Sequence, residues 1–433
     1  MKGENGKMKS NLEQTEIEAP YELPEGWKWC RLGDVCRTFS DGDWIESKDQ
    51  STEGIRLIQT GNIGKGTFRD KDDKCRYISE NTFERLNCTE IFAGDILISR
   101  LPEPVGRACI IPQLKDRMIT AVDCAIVRLF EGAVEKKWFC FYTQSHVYDG
   151  LVKTSCTGTT RLRISRKNLG EIPFPLPPTL AEQQRIVNRI ESMFAKLDEA
   201  KEKAQNVVDG FETRKAAILH KAFTEELKIE NEKLKEEDWE ETTLGKCCKL
   251  GSGGTPSKSH PEYYENGDIP WLKTGEIDWN DIYDAEEKIT DDGVANSSAK
   301  MFPAESVVVA MYGMGVTRGR AAIIKKPMTT NQAVCVLQPK EKLYNKFLFY
   351  YFMCNYHKIR EQSVGGNQLN LSGKIIGNFP IKLPPFNFQL SIVNFLDIII
   401  EKENKAKQAA EAVLEQIDLL KKSILARAFR GEL

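Results

Sequence analysis

The sequence predicts an α+β protein built as a tandem duplication, in which a mixed α/β globular domain followed by a long helix occurs twice. An apolar pattern with alternating steps of four and three residues extends over nearly five heptads from Ile186. The same pattern returns from Ile392, 206 positions downstream. Short motifs of the region before the first pattern also return, in the same order, before the second. Shared period, shared order and constant offset together favour duplication over coincidence.

Each apolar pattern forms a seam along one face of a helix. The predicted seam residues of the two helices are Ile186, Ile190, Met193, Leu197, Val207, Phe211 and Ile218, and Ile392, Leu396, Ile399, Val413, Ile417, Leu420 and Ile424. Only Arg214 and Glu403 interrupt the two patterns. A seam of this length is typical of a coiled coil. Each helix needs a partner for its seam and the natural partner is the other copy, although two unrelated amphipathic helices remain an alternative.

The helices have identifiable ends. Leu176-Pro177-Pro178 and Leu383-Pro384-Pro385 precede them, and a proline pair cannot continue inside a helix. Thr179 with Glu182 fits a capping box at the first start. Gly431 suits the stop of the second helix.

The predicted domains follow from these signals. They are a flexible tail (1–22), a first globular domain (23–172), a central long helix (173–228), a second globular domain (229–379) and a C-terminal long helix (380–433). In the globular domains, Thr60-Gly61-Asn62-Ile63 returns as Thr274-Gly275-Glu276-Ile277. Such a chain can fold with pseudo-twofold symmetry, and antiparallel helices would place the two globular domains at opposite ends of one rod.

Composition argues against several classes of function. The net charge of −2 gives no overall attraction to nucleic acid, so any basic surface must be local. Twelve cysteines without a C-x-x-C motif and four scattered histidines predict no metal site. Leu383-Pro384-Pro385-Phe386 lacks the Asp or Asn that an adenine methyltransferase needs before its proline pair. We therefore predict no catalytic residues. Scattered cysteines that read as buried apolar residues indicate a reducing compartment, so we predict a cytoplasmic protein, and no apolar run is long enough to span a membrane.

Local basic stretches are the candidate nucleic-acid contacts. The segments 151–170 and 312–326 contain several Arg and Lys residues and no acidic residue. Phosphate contacts favour Arg and Lys, and base reading favours Arg for guanine and Asn or Gln for adenine. Solvated surface charge is the alternative explanation. The predicted DNA-binding residues are Gln59, Asn62, Arg100, Arg107, Lys153, Arg161, Arg163, Arg166, Lys167, Lys273, Arg318, Arg320, Asn331, Gln368, Asn370 and Lys374.

In the order of its motifs the chain resembles the specificity subunits of type I restriction-modification systems. The resemblance rests on Leu23-Pro24-Glu25-Gly26-Trp27, the segments beginning at Gly158 and Gly365, the helix start Glu182-Gln183-Gln184-Arg185, and the closing 427–433. It implies two target-recognition domains that read the two halves of a split DNA sequence in the major groove. At Gln389-Leu390-Ser391 the second helix start departs from the family pattern.

The resemblance also implies partners. The helices would form an antiparallel coiled coil that sets the spacing of the half-sites and docks two methyltransferase subunits. Those subunits would carry S-adenosylmethionine and methylate adenine N6, so this chain would bind no cofactor itself. Motor-nuclease restriction subunits would join in the full complex, and no membrane is involved. A coiled-coil assembly scaffold with protein-binding heads is the alternative.

The two globular domains differ at nearly every candidate base-reading position, so we expect an asymmetric target with unlike half-sites. Sequencing the methylated bases in cells that express the chain with its methyltransferase measures this. A palindromic methylation motif would contradict it.

Overall fold

The computed structural model describes residues 17–71, 74–158, 162–224, 239–313, 315–365 and 369–433. The chain divides into two compact units. The first unit runs to Gln205 and also takes in Ala412–Leu433, whereas the second unit is the continuous segment Asn206–Glu411. Each unit therefore contains part of both long helices. The predicted DNA-binding residues Arg161 and Gln368 lie outside the described residues.

The first unit contains three small sheets. Its strands are β1 (Lys28–Arg31), β2 (Cys36–Asp41), β3 (Ile55–Ile58), β4 (Tyr77–Ile78), β5 (Glu90–Ile91), β6 (Ile96–Ser99), β7 (Ala108–Ile110), β8 (Met118–Thr120), β9 (Cys124–Leu129) and β10 (Pro173–Leu176). One sheet has the antiparallel order β2-β9-β6-β7. The second has the order β4-β3-β8-β5 with β3 parallel to β8, and β1 pairs with β10.

Short helices cover these sheets, and the first long helix follows them. The helices are α1 (Glu80–Leu86), α2 (Lys136–Tyr142), α3 (His146–Thr154), α4 (Arg166–Gly170), α5 (Leu180–Asp209) and α6 (Phe211–Ala222). The last residues of α5, and all of α6, belong to the second unit.

The second unit repeats this plan. Its strands are β11 (Glu240–Thr243), β12 (Cys248–Ser252), β13 (Ile269–Leu272), β14 (Asp281–Ile282), β15 (Lys288–Ile289), β16 (Met301–Phe302), β17 (Val307–Ala310), β18 (Ala321–Ile324), β19 (Met328–Thr330), β20 (Val334–Pro339) and β21 (Pro380–Leu383). The sheets have the orders β12-β20-β17-β18-β14, β15-β13-β19-β16 and β11-β21. Apart from the added strand β14, each strand has a counterpart in the first unit, in the same sheet order. The predicted duplication is confirmed.

The helices of the second unit also follow the plan of the first. They are α7 (Leu244–Cys247), α8 (Asp291–Ala295), α9 (Asn345–Cys354), α10 (Tyr356–Glu361), α11 (Gly373–Asn378) and α12 (Phe386–Phe429). The long helix α12 continues into the first unit from Ala412.

Both units bury helix residues from distant parts of the chain in one core. In the first unit, Phe429 near the C-terminus lies 4.5 Å from Trp138 between ring centroids. In the second, Leu219 of α6 shares a core with Leu396 of α12. Burying a large apolar side chain contributes about 1.5–3 kcal/mol. The long helices are therefore part of the globular cores and not appendages to them.

A buried glutamine fixes the start of each long helix to the domain before it. The side chain of Gln183 accepts from the Glu135 amide at 2.8 Å and donates to the Ala133 carbonyl at 3.1 Å. Gln389 does the same with the Tyr344 amide and the Lys342 carbonyl, both at 2.9 Å. The sequence departure at 389–391 therefore leaves this contact intact.

The predicted helix ends are also present. The hydroxyl of Thr179 accepts from the Glu182 amide at 3.2 Å, as an N-cap should. Gly431 has a left-handed φ of 71° just after the end of α12, where a residue with a side chain would be strained.

Within each unit the two long helices run antiparallel, as expected. In the first unit, Asp198 pairs with Lys421 at 2.5 Å and Lys201 pairs with Asp418 at 3.7 Å. The residue number rises along one helix as it falls along the other. In the second unit, the Lys407 ammonium lies 4.8 Å from the Phe211 ring centroid, and Glu403 meets a residue further along α6.

Most predicted seam residues are at least half-buried. Ile186, Ile190, Phe211, Ile392, Leu396 and Ile417 are buried, and Met193, Leu197, Val207, Ile218, Ile399 and Ile424 are half-buried. The predictions for Val413 and Leu420 are wrong, since these side chains are 39% and 49% exposed. Leu414 and Lys421 occupy the seam in their place. A seam predicted at 3.5 residues per turn drifts from a helix that keeps ~3.6, and the next residue comes to face the partner.

The central helix is interrupted at Gly210, where a single helix was predicted. Arg214 donates through Nη2 to the Val207 carbonyl at 2.8 Å and through Nε to Glu403 Oε2, also at 2.8 Å. A side chain bonded to a helical carbonyl disturbs the backbone ladder there. A side chain at 210 would collide with the Arg214 guanidinium, so glycine makes room for it. The two polar residues that interrupt the seam thus pair with each other.

We expect Arg214→Ala and Glu403→Ala each to destabilise the helix pair of the second unit, and the double variant to cost less than their sum. The coupling energy should be about 1 kcal/mol, because both side chains are partly exposed to solvent. Hydrogen exchange of the amides around Gly210 measures it. Additive effects of the two single changes would show that the pair contributes nothing.

Candidate nucleic-acid interface

Two equivalent loops are each closed by a pair of backbone hydrogen bonds. The first lies inside the predicted basic segment 151–170, and the second, at 364–370, lies outside the predicted segment 312–326. In the first loop (157–163), the backbones of Thr157 and Arg163 exchange hydrogen bonds of 2.8 and 2.9 Å. In the second loop (364–370), Val364 and Asn370 do so at 3.0 and 2.9 Å. Gly158 follows the first closing residue with a φ of 98°, in the left-handed region.

The two loops are attached to their units in the same way. The amide of Ile164, after the first loop, donates to the Arg100 carbonyl at 3.2 Å. The amide of Leu371, after the second loop, donates to the Met311 carbonyl at 3.0 Å. Arg100 and Met311 each follow the matching strand, β6 or β17. Arg163 and Asn370 therefore occupy structurally equivalent positions.

Acidic residues from distant strands approach the first loop. Arg163 Nη2 lies 3.0 Å from Asp123 Oδ1, and Arg166 Nε lies 3.3 Å from Asp41 Oδ2. Arg166 also donates to the Phe39 carbonyl at 3.0 Å. Sequence reasoning missed Asp41 and Asp123, because both are remote in sequence from the basic segment. In three dimensions this segment is only partly basic.

Lys153 and Lys167 keep their charge exposed near the first loop. Lys153 lies in the last turn of α3 and Lys167 lies in α4, and both side chains face solvent. Neither forms an ion pair within the described part of the chain. These two lysines fit the predicted phosphate contacts best, because a free ammonium can approach a phosphate without giving up another partner.

Arg107 has a structural role in place of the predicted DNA contact. Its buried guanidinium donates to the Ile63, Leu101, Pro104 and Thr60 carbonyls at 2.6–2.8 Å. Burial lowers the pKa of Arg107, and these four acceptors stabilise the charged form. A guanidinium held in this way has too few free donors to read a base.

Arg100 is likewise committed to the fold of the first unit. It is buried, donates through Nη2 to the Val122 carbonyl, and lies 3.2 Å from Asp41 Oδ1. Its predicted contact with a base is therefore replaced by a structural role, since little of the side chain is accessible.

The predicted DNA-binding residues Gln59 and Asn62 lie together in one short turn of the first unit. Asn62 Oδ1 accepts from the Gln59 amide and Nδ2 donates to the Arg69 carbonyl, both at 3.0 Å. These bonds occupy both ends of the Asn62 amide in shaping the turn. The Gln59 side chain is half-buried, and its role in base reading stays a prediction.

The corresponding turn of the second unit is held by charge. Lys273 Nζ pairs with Glu287 at 2.6 Å, and Arg320 pairs with Asp278. Asn331 Oδ1 accepts from the Ala333 amide at 3.0 Å. Contacts of Lys273, Arg320 and Asn331 with DNA stay predictions, and each would have to compete with the partner it has.

Around the second loop the cationic residues bond to carbonyls. Arg318 donates to the Leu369 carbonyl at 2.6 Å and so holds the loop. Arg360, which sequence reasoning missed, donates to the Arg318 and Gly315 carbonyls at 2.6 and 2.7 Å. Asn370 Oδ1 is buried and accepts no hydrogen bond from any described residue, while Lys374 is exposed on α11.

The family of the chain follows from a comparison with protein-family models. The model for the type I restriction modification DNA specificity domain matches residues 24–208 and again 236–416. This chain belongs to that family. The two matched segments reproduce the duplication that the strand orders show. An assembly scaffold with protein-binding heads is accordingly not favoured.

Curated relatives and solved structures agree with this family. The specificity subunit of the Escherichia coli enzyme EcoR124I/EcoR124II is 32% identical over 38% of this chain and 41% of that protein. The putative MjaX specificity subunit of Methanocaldococcus jannaschii is 25% identical over 98% of this chain and 96% of that protein. The crystal structure of the HsdS subunit from Thermoanaerobacter tengcongensis superposes with a TM-score of 0.65 at 20% identity, over 96% of this chain and all of that one.

A structure concerned with complex assembly and conformational transition of the type I R-M system has a TM-score of 0.72 at 20% identity, over 96% of this chain and all of that one. At that identity it supports the fold alone. Within the described ranges, no group of His, Cys, Asp and Glu could hold a metal ion, and no helix is long and apolar enough to cross a membrane.

We expect the double change Lys153→Ala with Lys167→Ala to weaken DNA binding at all sequences alike. Each lost phosphate contact should reduce the slope of log affinity against log salt by about 0.9. Fluorescence anisotropy with a labelled duplex at several salt concentrations measures this slope.

Lys28→Ala with Lys136→Ala is the matched control. Both are exposed lysines of the first unit that form no ion pair with a described residue, and both lie outside the first loop, α3 and α4. An equal loss of slope in the control pair would show that the effect reflects net charge alone.

Proposed function

We propose that this specificity-domain protein reads a split, asymmetric DNA target, one half with each unit, and directs two adenine-N6 methyltransferase subunits to it. The proposal rests on one observation. The two units share the same backbone arrangement around the loops but have different side chains at equivalent positions. The hairpin loops are closed and anchored by the same hydrogen bonds, yet one presents Arg163 and the other Asn370. Arginine and asparagine pair with different bases in the major groove. This difference supports unlike half-sites.

The paired long helices are proposed to set the gap between half-sites and to dock the methyltransferases. Apolar side chains of α12 that its helix partner leaves exposed support a docking role. They are Ile398, Val413, Leu419 and Leu420. An exposed apolar face on a helix pair is a common site for a further helix or subunit. Three of these residues lie on the first unit and Ile398 lies on the second, so each unit would offer apolar surface to one copy of a partner.

Catalysis is proposed to reside in the partners, with S-adenosylmethionine bound by the methyltransferases and DNA movement and cleavage carried out by motor-nuclease subunits. Most cysteines of this chain are poor nucleophiles, although the hydrogen bond with Cys248 lowers the pKa of the Cys247 thiol. Burial raises the pKa of Cys109, Cys124 and Cys335 to about 12, so these thiols stay protonated at neutral pH. We further propose that the assembled complex works in the cytoplasm, where its substrate DNA is found.

Single-molecule sequencing of DNA from cells that express the chain with its methyltransferase tests the proposal. We expect a split N6-methyladenine motif with two unlike halves, lost when this chain is deleted and restored when it is supplied again. Methylation that persists after the deletion would assign recognition to another protein and overturn the proposed function.

A further inference from the structure

We propose that Arg163, positioned by Asp123, reads a guanine in the half-site of the first unit, and that Asn370 reads an adenine at the equivalent place in the other half-site. The inference rests on the proposed function and adds to it the residues and bases that make the half-sites different.

Three contacts fix the position of Arg163. The hydrogen bonds with Thr157 close the loop, and the bond from the Ile164 amide to the Arg100 carbonyl anchors the next residue to β6. Asp123 lies just before β9, and its carbonyl accepts from the Arg100 amide at 2.8 Å. The loop and Asp123 are therefore attached to the same pair of strands, β6 and β9. This attachment fixes the distance between the Arg163 guanidinium and the Asp123 carboxylate.

Asp123 engages one edge of the guanidinium and leaves another edge available. Only Nη2 of Arg163 contacts Asp123, at 3.0 Å, and the side chain is 47% exposed. The other guanidinium nitrogens have no hydrogen bond to any described residue. Guanine presents two acceptors, O6 and N7, that match such a free arginine edge. A carboxylate that holds the guanidinium plane in advance reduces the ordering cost of binding.

The other cations around the first loop are less suited to reading a base. The Arg166 guanidinium contacts both Asp41 and the Phe39 carbonyl, and the Arg100 side chain is buried. Lys153 and Lys167 carry point charges on flexible stems, which suit phosphates better than base edges. Arg163 alone among these described residues combines a fixed backbone, a partly free guanidinium and an orienting carboxylate.

Asn370 occupies the equivalent position in the second unit, but its side chain is not oriented by a carboxylate. Its backbone closes the second loop with Val364, and Arg318 holds the neighbouring Leu369 carbonyl. The side-chain oxygen is buried without a donor, and the amide makes no hydrogen bond within the described ranges. An unsatisfied buried oxygen is unfavourable, and turning the amide outward breaks no bond. An outward asparagine matches the N6 donor and N7 acceptor of adenine.

The second unit has no counterpart of Asp123. The Met311 amide donates to the Ala333 carbonyl at 2.9 Å, just as the Arg100 amide donates to that of Asp123. Ala333 thus occupies the position of the orienting carboxylate. The pair Arg163 with Asp123 in one unit is matched by Asn370 with Ala333 in the other.

The test is methylation of a duplex library with randomised half-sites by the complex of this chain with its methyltransferase. For the wild type we expect one required guanine that depends on Arg163. Arg163→Ala should relax that position by about ten- to a hundredfold and leave the second half-site unchanged. Asp123→Asn should relax the same position to a smaller extent, because the arginine remains but loses its orientation.

Arg31→Ala is the matched control. Arg31 also forms a partly exposed arginine–carboxylate pair in the first unit, with Glu171 at 3.0 Å, but it belongs to β1 and not to the loop. It should leave the motif unchanged. If Arg163→Ala abolishes all methylation, Arg163→Lys keeps the charge and should restore activity with a relaxed guanine position.

A transfer experiment tests the equivalence of the two loops. Asn370→Arg combined with Ala333→Asp should change one adenine of the second half-site to guanine, whereas Asn370→Arg alone should do so less completely. A motif that keeps its adenine in both variants would overturn the role of Asn370.

The possible failures are distinguishable. A wild-type complex without a split motif refutes the proposed function, and this inference with it. Two outcomes refute the inference alone and make Arg163 a phosphate contact. The first is a wild-type split motif whose guanines are all retained in Arg163→Ala. The second is a uniform loss of methylation in Arg163→Ala that Arg163→Lys restores without relaxing any guanine position.

Discussion

The position of each long helix depends on the side-chain amide of one buried glutamine. Gln183 and Gln389 lie in the first turns of their helices. Each side chain accepts from one backbone amide and donates to one backbone carbonyl, both in the segment just before α2 or α9 of its globular domain. A polar group buried without these partners would cost about 1–3 kcal/mol, so only one orientation is satisfactory. Because the side chains are neutral, salt does not weaken this contact as it weakens the surface ion pairs between the helices. The start of each long helix is thus held in a fixed relation to the globular domain of its own unit.

Much of the fold could be predicted because its signals are local. Apolar periodicity and proline pairs located the helices, and repeated motifs revealed the duplication that the strand orders confirm. The predictions that were wrong concern features of each helix that depend on contacts absent from a single-helix pattern. Val413 and Leu420 fit a 3.5-residue repeat, but a helix that keeps ~3.6 residues per turn presents Leu414 and Lys421 instead. The interruption at Gly210 depends on Arg214 reaching Val207, which no single-helix pattern contains.

The candidate site was predictable as a region and not as a set of contacts. The basic segment around Arg163 could be read from the sequence, because its residues are consecutive. Its ion-pair partners Asp41 and Asp123 are remote in the sequence, and the pairing of strands brings them close to it. A list of arginines also does not distinguish Arg107, which faces four carbonyls, from Arg163, which keeps a free edge. Burial and orientation decide that difference, and both are properties of the folded unit.

The division of the chain has a consequence for synthesis on the ribosome. The first unit needs Leu425, Ala428 and Phe429 for its core, and Tyr21 donates to the Phe429 carbonyl at 2.9 Å. The second unit is one continuous segment and can fold once Glu411 has emerged. The unit that is translated first is therefore completed only after residues 425–429 have been synthesised. A nascent chain that has not reached these residues would carry an open apolar core in its first unit.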